Sequence, residues 1–390
     1  MLDIKSDFYD KIKIITPKDE YFYFFGYYDL YPTESGSPRH LAHRSTFMDR
    51  FPKADDKCEL GYLVDGKFTK FAETFAWNFQ QGAMLTYHPT KKSTVLYNTV
   101  KDDSFVTAIH NIDTNEISYA ERPSATYAPN GKFSLSVNFA RIFEFRAGYG
   151  YAGAVDKNVD VCVPDDDGVF YVDLETGKSK LLLSYRDILK ESGFKDDEKV
   201  LINHITVCPD SNKFLMLVRA KWKNGQGWDS TMMVGDLSGN FKTLIHRTYF
   251  SHYYWLSPDE IVAHTSLDGD KTRALYIIDA HTGATRAVDS FFFATNNSDI
   301  HCSLSPSGKY IIGDGYPDEE EYRHFLSIDR ETGKSKVILK AKSIAPEFAD
   351  LRCDLHARFA FDGKYVSFDT TADNNRREIA VFPVEYLSCD

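Results

Sequence analysis

The chain has 390 residues, a net charge of −11 and an isoelectric point near 5.6. That balance argues against nucleic acid and anionic membrane as partners, because both repel an acidic surface. No apolar run approaches the roughly 18 residues that span a bilayer. The opening Met1-Leu-Asp-Ile-Lys-Ser-Asp7 has no apolar signal core, so a cytoplasmic protein is expected. The cysteines at 58, 162, 208, 302, 353 and 389 contain no C-x-x-C pair and read as free thiols rather than a disulfide frame or zinc knuckle. With 29 Phe and 24 Tyr, the composition favours strands over helices.

In chain order the sequence repeats one supersecondary unit. Each unit is an aromatic or β-branched strand, a Pro-Asp-Gly-Lys type turn, a second strand, a variable loop, a third strand ending in Asp, a Thr-Gly-Lys type turn and a fourth strand. The turn chemistry fits, because Gly takes positive φ and Asp or Asn tolerates the left-handed region. Residues 12–15, Ile-Lys-Ile-Ile, form a lone candidate strand. The first unit opens at Gly26-Tyr-Tyr-Asp-Leu-Tyr-Pro32 and the second near Met84-Leu-Thr-Tyr-His-Pro89. The third opens at Tyr127-Ala-Pro-Asn-Gly-Lys132, with a strand predicted over 133–139 and then a long insertion. The later units open at His204, His252, His301 and His356. A single helix is predicted over 185–191. The seventh unit lacks a clear fourth strand, so the run at 12–15 is expected to close the ring. The expectation is an all-β protein: a seven-bladed β-propeller of four-stranded antiparallel blades, closed by N- and C-terminal strands. It is expected as a single domain over 1–390, a monomer or weak homodimer, with long loops at 141–167 and 184–199.

Four of the twelve histidines share one register of this repeat. The innermost strand of a propeller blade begins near the axis, so His204, His252, His301 and His356 are expected to converge. One inner-strand histidine alone is more often structural; four in register are not readily explained that way. Converging neutral imidazoles suit a transition metal. The long loops on the same side carry Arg146, Tyr149, Tyr151, Trp222 and Trp228, a mix suited to sugar binding. Ends of second strands add His43, Arg44, Asn98, Arg141, Arg219 and Asp314. No P-loop, Rossmann glycine fingerprint or nucleophile elbow is present.

The chain resembles the seven-bladed propeller lyases that cleave uronic-acid glycosides: oligogalacturonate lyase and, more distantly, the ulvan and rhamnose–glucuronate lyases. Ser251-His-Tyr-Tyr-Trp255 is similar to the segment that places a metal-binding histidine before an aromatic pair. Asp354-Leu-His-Ala-Arg-Phe-Ala-Phe-Asp-Gly363 is similar to an H-P-H-P-S-F-x-P-D-G segment whose histidines bind metal. Asn203-His204 falls where the family carries its base. Two departures stand out. Asp354 occupies the place of the first histidine of the H-P-H pair, and the family's glutamine ligand has no clear counterpart. The resemblance implies β-elimination on an acidic oligosaccharide: loss of the C5 proton and expulsion of the 4-linked oxygen. It implies His204 as base, Arg219 and Arg146 on the carboxylate and Tyr151 as acid. It also implies a divalent metal (manganese, zinc or calcium) on His252, His301 and His356, with Asp354 as a fourth ligand. Two alternatives remain. One is a non-catalytic glycan- or protein-binding propeller. The other is a propeller glycoside hydrolase, for which Asp29, Asp314 and Asp354 are candidate carboxylates.

Overall fold

A computed structural model of the chain describes residues 2–221, 227–267, 273–288 and 299–389. Trp222 lies outside the described residues. The strands form seven antiparallel sheets, the blades of a seven-bladed β-propeller. The first blade is Phe22–Phe24, His40–Ser45, Cys58–Val64 and Lys67–Thr74. Its inner strand therefore precedes the Gly26–Pro32 motif, which forms a loop instead of opening the blade. The sixth blade is His301–Leu304, Tyr310–Asp314, Tyr322–Asp329 and Ser335–Lys342. The seventh is Arg358–Phe359, Tyr365–Asp373 and Arg376–Pro383, completed by Lys13–Ile14 from the N-terminal segment. That pairing, Lys13 opposite Val381 and Ile14 opposite Ala380, is the expected closure.

The repeated turns follow from one piece of local chemistry. The Asp that ends the third strand accepts backbone N–H bonds from the residues two and three ahead, and a left-handed glycine returns the chain. Asp173 accepts from Glu175 and Thr176 at 3.0 and 2.7 Å, with Gly177 at φ 72°. Asp279 and Asp329 do the same before Gly283 and Gly333. Each of these turns is set by residues adjacent in sequence.

The chain forms two compact units, one of residues 1–87, 252–254 and 287–390, the other of 88–251 and 255–286. In the first unit a short strand, Ile4–Lys5, adds a fifth member to the sixth blade, opposite Ala341 and Lys340. Ile4, Phe8 and Ile12 then bury against Phe325, Phe359, Phe368 and Phe382. Phe8 stacks on Tyr386 with ring centroids 4.6 Å apart, which pins the N-terminal segment to the closing blade.

Among the described residues the second unit carries two α-helices, not one. Tyr185–Ser192 is the expected helix, opened by a reciprocal cap between Ser184 and Asp187 and closed by Gly193 in the left-handed region. The other, Phe139–Phe145, replaces the end of the predicted strand. The strand stops at Ser136, and the Asn138 side chain caps the helix by accepting from the Arg141 N–H at 3.0 Å. No described helix is long and apolar enough to cross a membrane.

Candidate cation site

The first unit gathers His252, His301, Asp354 and His356 around the ring of Tyr28. Tyr28 lies 5.8 Å from the rings of His301 and His356 and 6.0 Å from His252. His301 opens its strand directly opposite Asp314 on the neighbouring strand. The pairing sets His301 Nδ1 3.4 Å from an Asp314 oxygen. Gly313, next in register, must lack a side chain, since a Cβ there would meet Ile300 at 2.6 Å and the His301 carbonyl at 2.9 Å. The other Asp314 oxygen accepts the Leu355 N–H at 2.8 Å, so one carboxylate ties His301 to the 354–356 segment.

Asp354 is buried and held by two guanidiniums. Arg323 lies 2.8 Å from one oxygen, and Arg352 Nε lies 3.0 and 2.9 Å from the two. The second oxygen faces His301 Nε2 at 4.0 Å and His356 Nε2 at 3.8 Å. All three ligand atoms fall within 4.8 Å of one another. Neither Nε2 atom has a hydrogen-bond partner, although both are buried.

The tautomer of His356 makes this arrangement informative. Its Nδ1 lies 2.9 Å from the Gly26 carbonyl, which can only accept. Nδ1 therefore carries the proton, and the neutral ring turns the Nε2 lone pair toward a carboxylate oxygen. Two lone pairs facing each other across a buried gap repel unless positive charge lies between them. Burial, followed by the positive charge of His301, drives the His356 pKa well below its usual value. For His301, burial opposes protonation, but Asp314 and Asp354 outweigh it and raise the pKa. Burial also opposes ionisation of Asp354, yet Arg352 and Arg323 hold its carboxyl well below the usual range. With His301 giving up its proton to a bound ion, two imidazoles and one ionised carboxylate would fit a divalent cation.

Of the four residues expected to ligate, the structure brings three into one set. His252 is close, its ring 4.1 Å from His301, but it is not one of the converging ligands. Its Nδ1 is bonded to Asp299 at 3.0 Å. Asp299, Arg323 and Arg352 were not singled out from the sequence. Only Asp314 carried a signal, as a polar residue ending a second strand.

The predicted base, acid and carboxylate-binding residues belong to the second unit. His204 sits at a β-bulge in Val200–Val207, with φ at 90°, a strained conformation for a residue with a Cβ. Arg219 is buried and donates to Asn203 at 2.5 Å and to the Phe250 and Ser251 carbonyls at 3.2 and 3.0 Å. Arg146 lies over the rings of Tyr149 and Trp228, at 4.1 and 5.2 Å. Tyr151 requires a correction. It is fully buried and stacks flat on Phe139 at 4.2 Å, and its hydroxyl accepts from Asn98 at 2.9 Å. Burial raises its pKa far above the ordinary value, and the structure places it in the interior packing of the second unit instead of on an open loop. Other second-strand residues are structural. His43 accepts from the Ala83 N–H at 2.9 Å, and Arg141 pairs with Asp156 at 3.2 Å. Of the carboxylates named for the hydrolase alternative, Asp354 is clamped by arginines and Asp314 is bonded to backbone.

No protein-family model matches the chain, and no curated protein matches it in sequence. Solved structures do match in fold. An oligogalacturonate lyase in complex with manganese superposes with a TM-score of 0.67 at 15% identity, over 100% of this chain and 98% of the other. An oligogalacturonate lyase from Vibrio parahaemolyticus gives 0.65 at 12% identity, over 98% and 97%. The tricorn protease gives 0.50 at 13% identity, over 97% of this chain but 34% of its own. The propeller of this chain is thus the fold seen in the oligogalacturonate lyases over essentially the full length of both.

Proposed function

We propose that the chain is a carbon–oxygen lyase that cleaves a uronate-containing oligosaccharide by β-elimination. His301, Asp354 and His356 would hold a divalent cation. The observation that carries this is the pair of buried, partnerless Nε2 atoms facing one carboxylate oxygen, in a fold shared with lyases of that type. A divalent cation held there supplies the positive charge that makes the proton α to a uronate carboxylate removable.

The protein's own groups supply the rest. Asp299 accepts from His252 Nδ1, which leaves Nε2 as the basic atom, and a carboxylate-oriented imidazole is a competent acceptor for the C5 proton. As that proton leaves, its electron pair forms the C4–C5 double bond and the C4–O bond breaks. The leaving oxygen takes its proton from water. Arg219 and Arg146 are assigned to substrate carboxylates, an assignment that rests on their charge and on the family pattern. His204, strained at its bulge, is the competing candidate for the base.

The test is a screen of uronate oligosaccharides, read by the ultraviolet absorbance of the unsaturated product, with His252→Ala and His204→Ala in parallel. His252→Ala is expected to lower kcat about 100- to 10,000-fold. A loss confined to His204→Ala moves the base to His204. Absence of unsaturated product from every uronate tried defeats the lyase reading.

A further inference from the structure

We propose that Asp369 and Arg358 are positioning residues for the cation site: together they fix the Gly26 carbonyl, and that carbonyl sets which nitrogen of His356 faces the cation. The inference rests on the cation-site reading above, but it concerns residues that ligate nothing.

Asp369 and Arg358 hold the segment around Gly26 from both sides. The Asp369 carboxylate accepts the Phe25 N–H at 3.1–3.2 Å and the Gly26 N–H at 3.3 Å. Arg358 pairs with Asp369 through Nη2 and donates from Nη1 to the Gly26 carbonyl at 3.0 Å. His356 Nδ1 reaches the same oxygen at 2.9 Å, so the carbonyl takes one bond from each. On the other side, the Asp369 N–H donates to the Leu355 carbonyl at 2.9 Å, one residue before His356. Asp369 therefore touches both chain segments that meet at this imidazole.

The backbone carries costs consistent with a demanded geometry. His356 itself sits at φ 43°, in the left-handed region. Gly26 is at φ 114°, and a Cβ there would lie 2.9 Å from the Gln81 carbonyl carbon and oxygen, so only glycine can place this carbonyl. Arg358 and Asp369 are 1% and 2% exposed. A buried ion pair is often no more stabilising than an apolar pair of the same size, because desolvation offsets the attraction. Stability alone therefore does not account for it. Fixing a carbonyl that dictates a ligand's tautomer does.

Arg358→Lys keeps a positive charge beside Asp369 but loses the planar fork that serves carboxylate and carbonyl together. Asp369→Asn keeps the shape and removes the charge. Both would be made in the full chain with histidine labelled at nitrogen. Two quantities would be measured: manganese and zinc affinity by calorimetry, and the His356 tautomer in the cation-free protein from its ring-nitrogen shifts. The expected result is about 10- to 100-fold weaker cation binding and a His356 population shifted from the Nδ1–H to the Nε2–H form. Ser327→Ala, which removes a buried bond to the Leu387 carbonyl in the same unit, controls for general loosening and should change neither. Parent-like affinity and tautomer in both folded variants overturn the proposal. If the parent binds neither metal, the cation-site reading fails, yet the tautomer measurement still decides whether Asp369 and Arg358 position the ring. Should Asp369→Asn not fold, Arg358→Lys alone carries the test.

Discussion

Replacing Asp354 with Asn removes one negative charge and little else, and the structure sets what that should cost. Two buried guanidiniums contact this carboxylate at 2.8–3.0 Å. Breaking a buried ion pair by neutralising one partner costs about 3–5 kcal/mol. Here both arginines keep other acceptors: Arg352 retains Asp350 at 3.3 Å, and Arg323 retains the Gly315 carbonyl at 2.9 Å and Ser343 at 3.1 Å. The amide oxygen of Asn can still accept one of them. The loss should therefore fall at the low end, about 3 kcal/mol, a large share of a typical total of about 5–15 kcal/mol. The second effect is on the cation. A ligand at 100 times its dissociation constant stabilises the native state by about 2.7 kcal/mol, and a variant without the ligand oxygen forfeits that gain. Urea unfolding followed by circular dichroism, with and without manganese, reads both. The gap between parent and variant should be about 3 kcal/mol without metal and roughly 6 kcal/mol with it. An Asp354→Asn protein that unfolds at the parental midpoint refutes the account of the arginine clamp. One that gains as much from manganese as the parent refutes the ligand assignment.

Two further predictions test the framework of the two units. Ser184→Ala removes the reciprocal cap of the Tyr185–Ser192 helix and should cost about 1 kcal/mol in urea unfolding; an unchanged midpoint would show the cap to be redundant. Glu378 is buried with one carboxyl oxygen lacking a hydrogen-bond partner, and burial, with Asp373 adding to it, raises its pKa from 4.5 to about 7. A raised acid pKa means the folded state holds the proton more tightly than the unfolded chain, so this group's contribution to stability falls as pH climbs from 4.5 through about 7. Glu378→Gln should match the parent at pH 4 and exceed it at pH 8, measured as the urea midpoint against pH; a constant difference across that range contradicts the assignment.

What the sequence made legible was local. The Asp-x-x-Thr-Gly turns are closed by bonds between residues two to four apart, so the blade count and most strand boundaries can be read from the chain itself. Ile4–Lys5 could not be read this way, because two residues gain order only from Ala341 and Lys340 at the far end of the chain. The helix at Phe139–Phe145 was hidden for a different reason. Its residues were expected as the end of the 133–139 strand and the start of the 141–167 loop, and the deciding cap comes from a single side chain, Asn138. That error carried into the site. The expected loop left Tyr151 open; in the structure it stacks on Phe139 at the start of the helix and is buried.

The site shows the same division between local and distant information. Register placed His301 and His356 together, but register says nothing about charge. The sequence departs from the lyase pattern at Asp354, where a neutral histidine gives way to a carboxylate, and the departure is intelligible only with Arg323 and Arg352 in view. A buried carboxylate without positive partners would protonate or unfold the site. The two arginines keep it ionised, and each has a second carboxylate nearby, Asp314 at 3.9 Å from Arg323 and Asp350 at 3.3 Å from Arg352. The guanidiniums that make Asp354 tolerable also draw off part of the negative charge a cation would feel. The imidazole nitrogens must then contribute a larger share of the binding, and metals that favour nitrogen ligands gain over those that favour oxygen. On that argument the orientation of His356, and the buried pair that fixes it, matters more in this chain than it would beside an unclamped carboxylate.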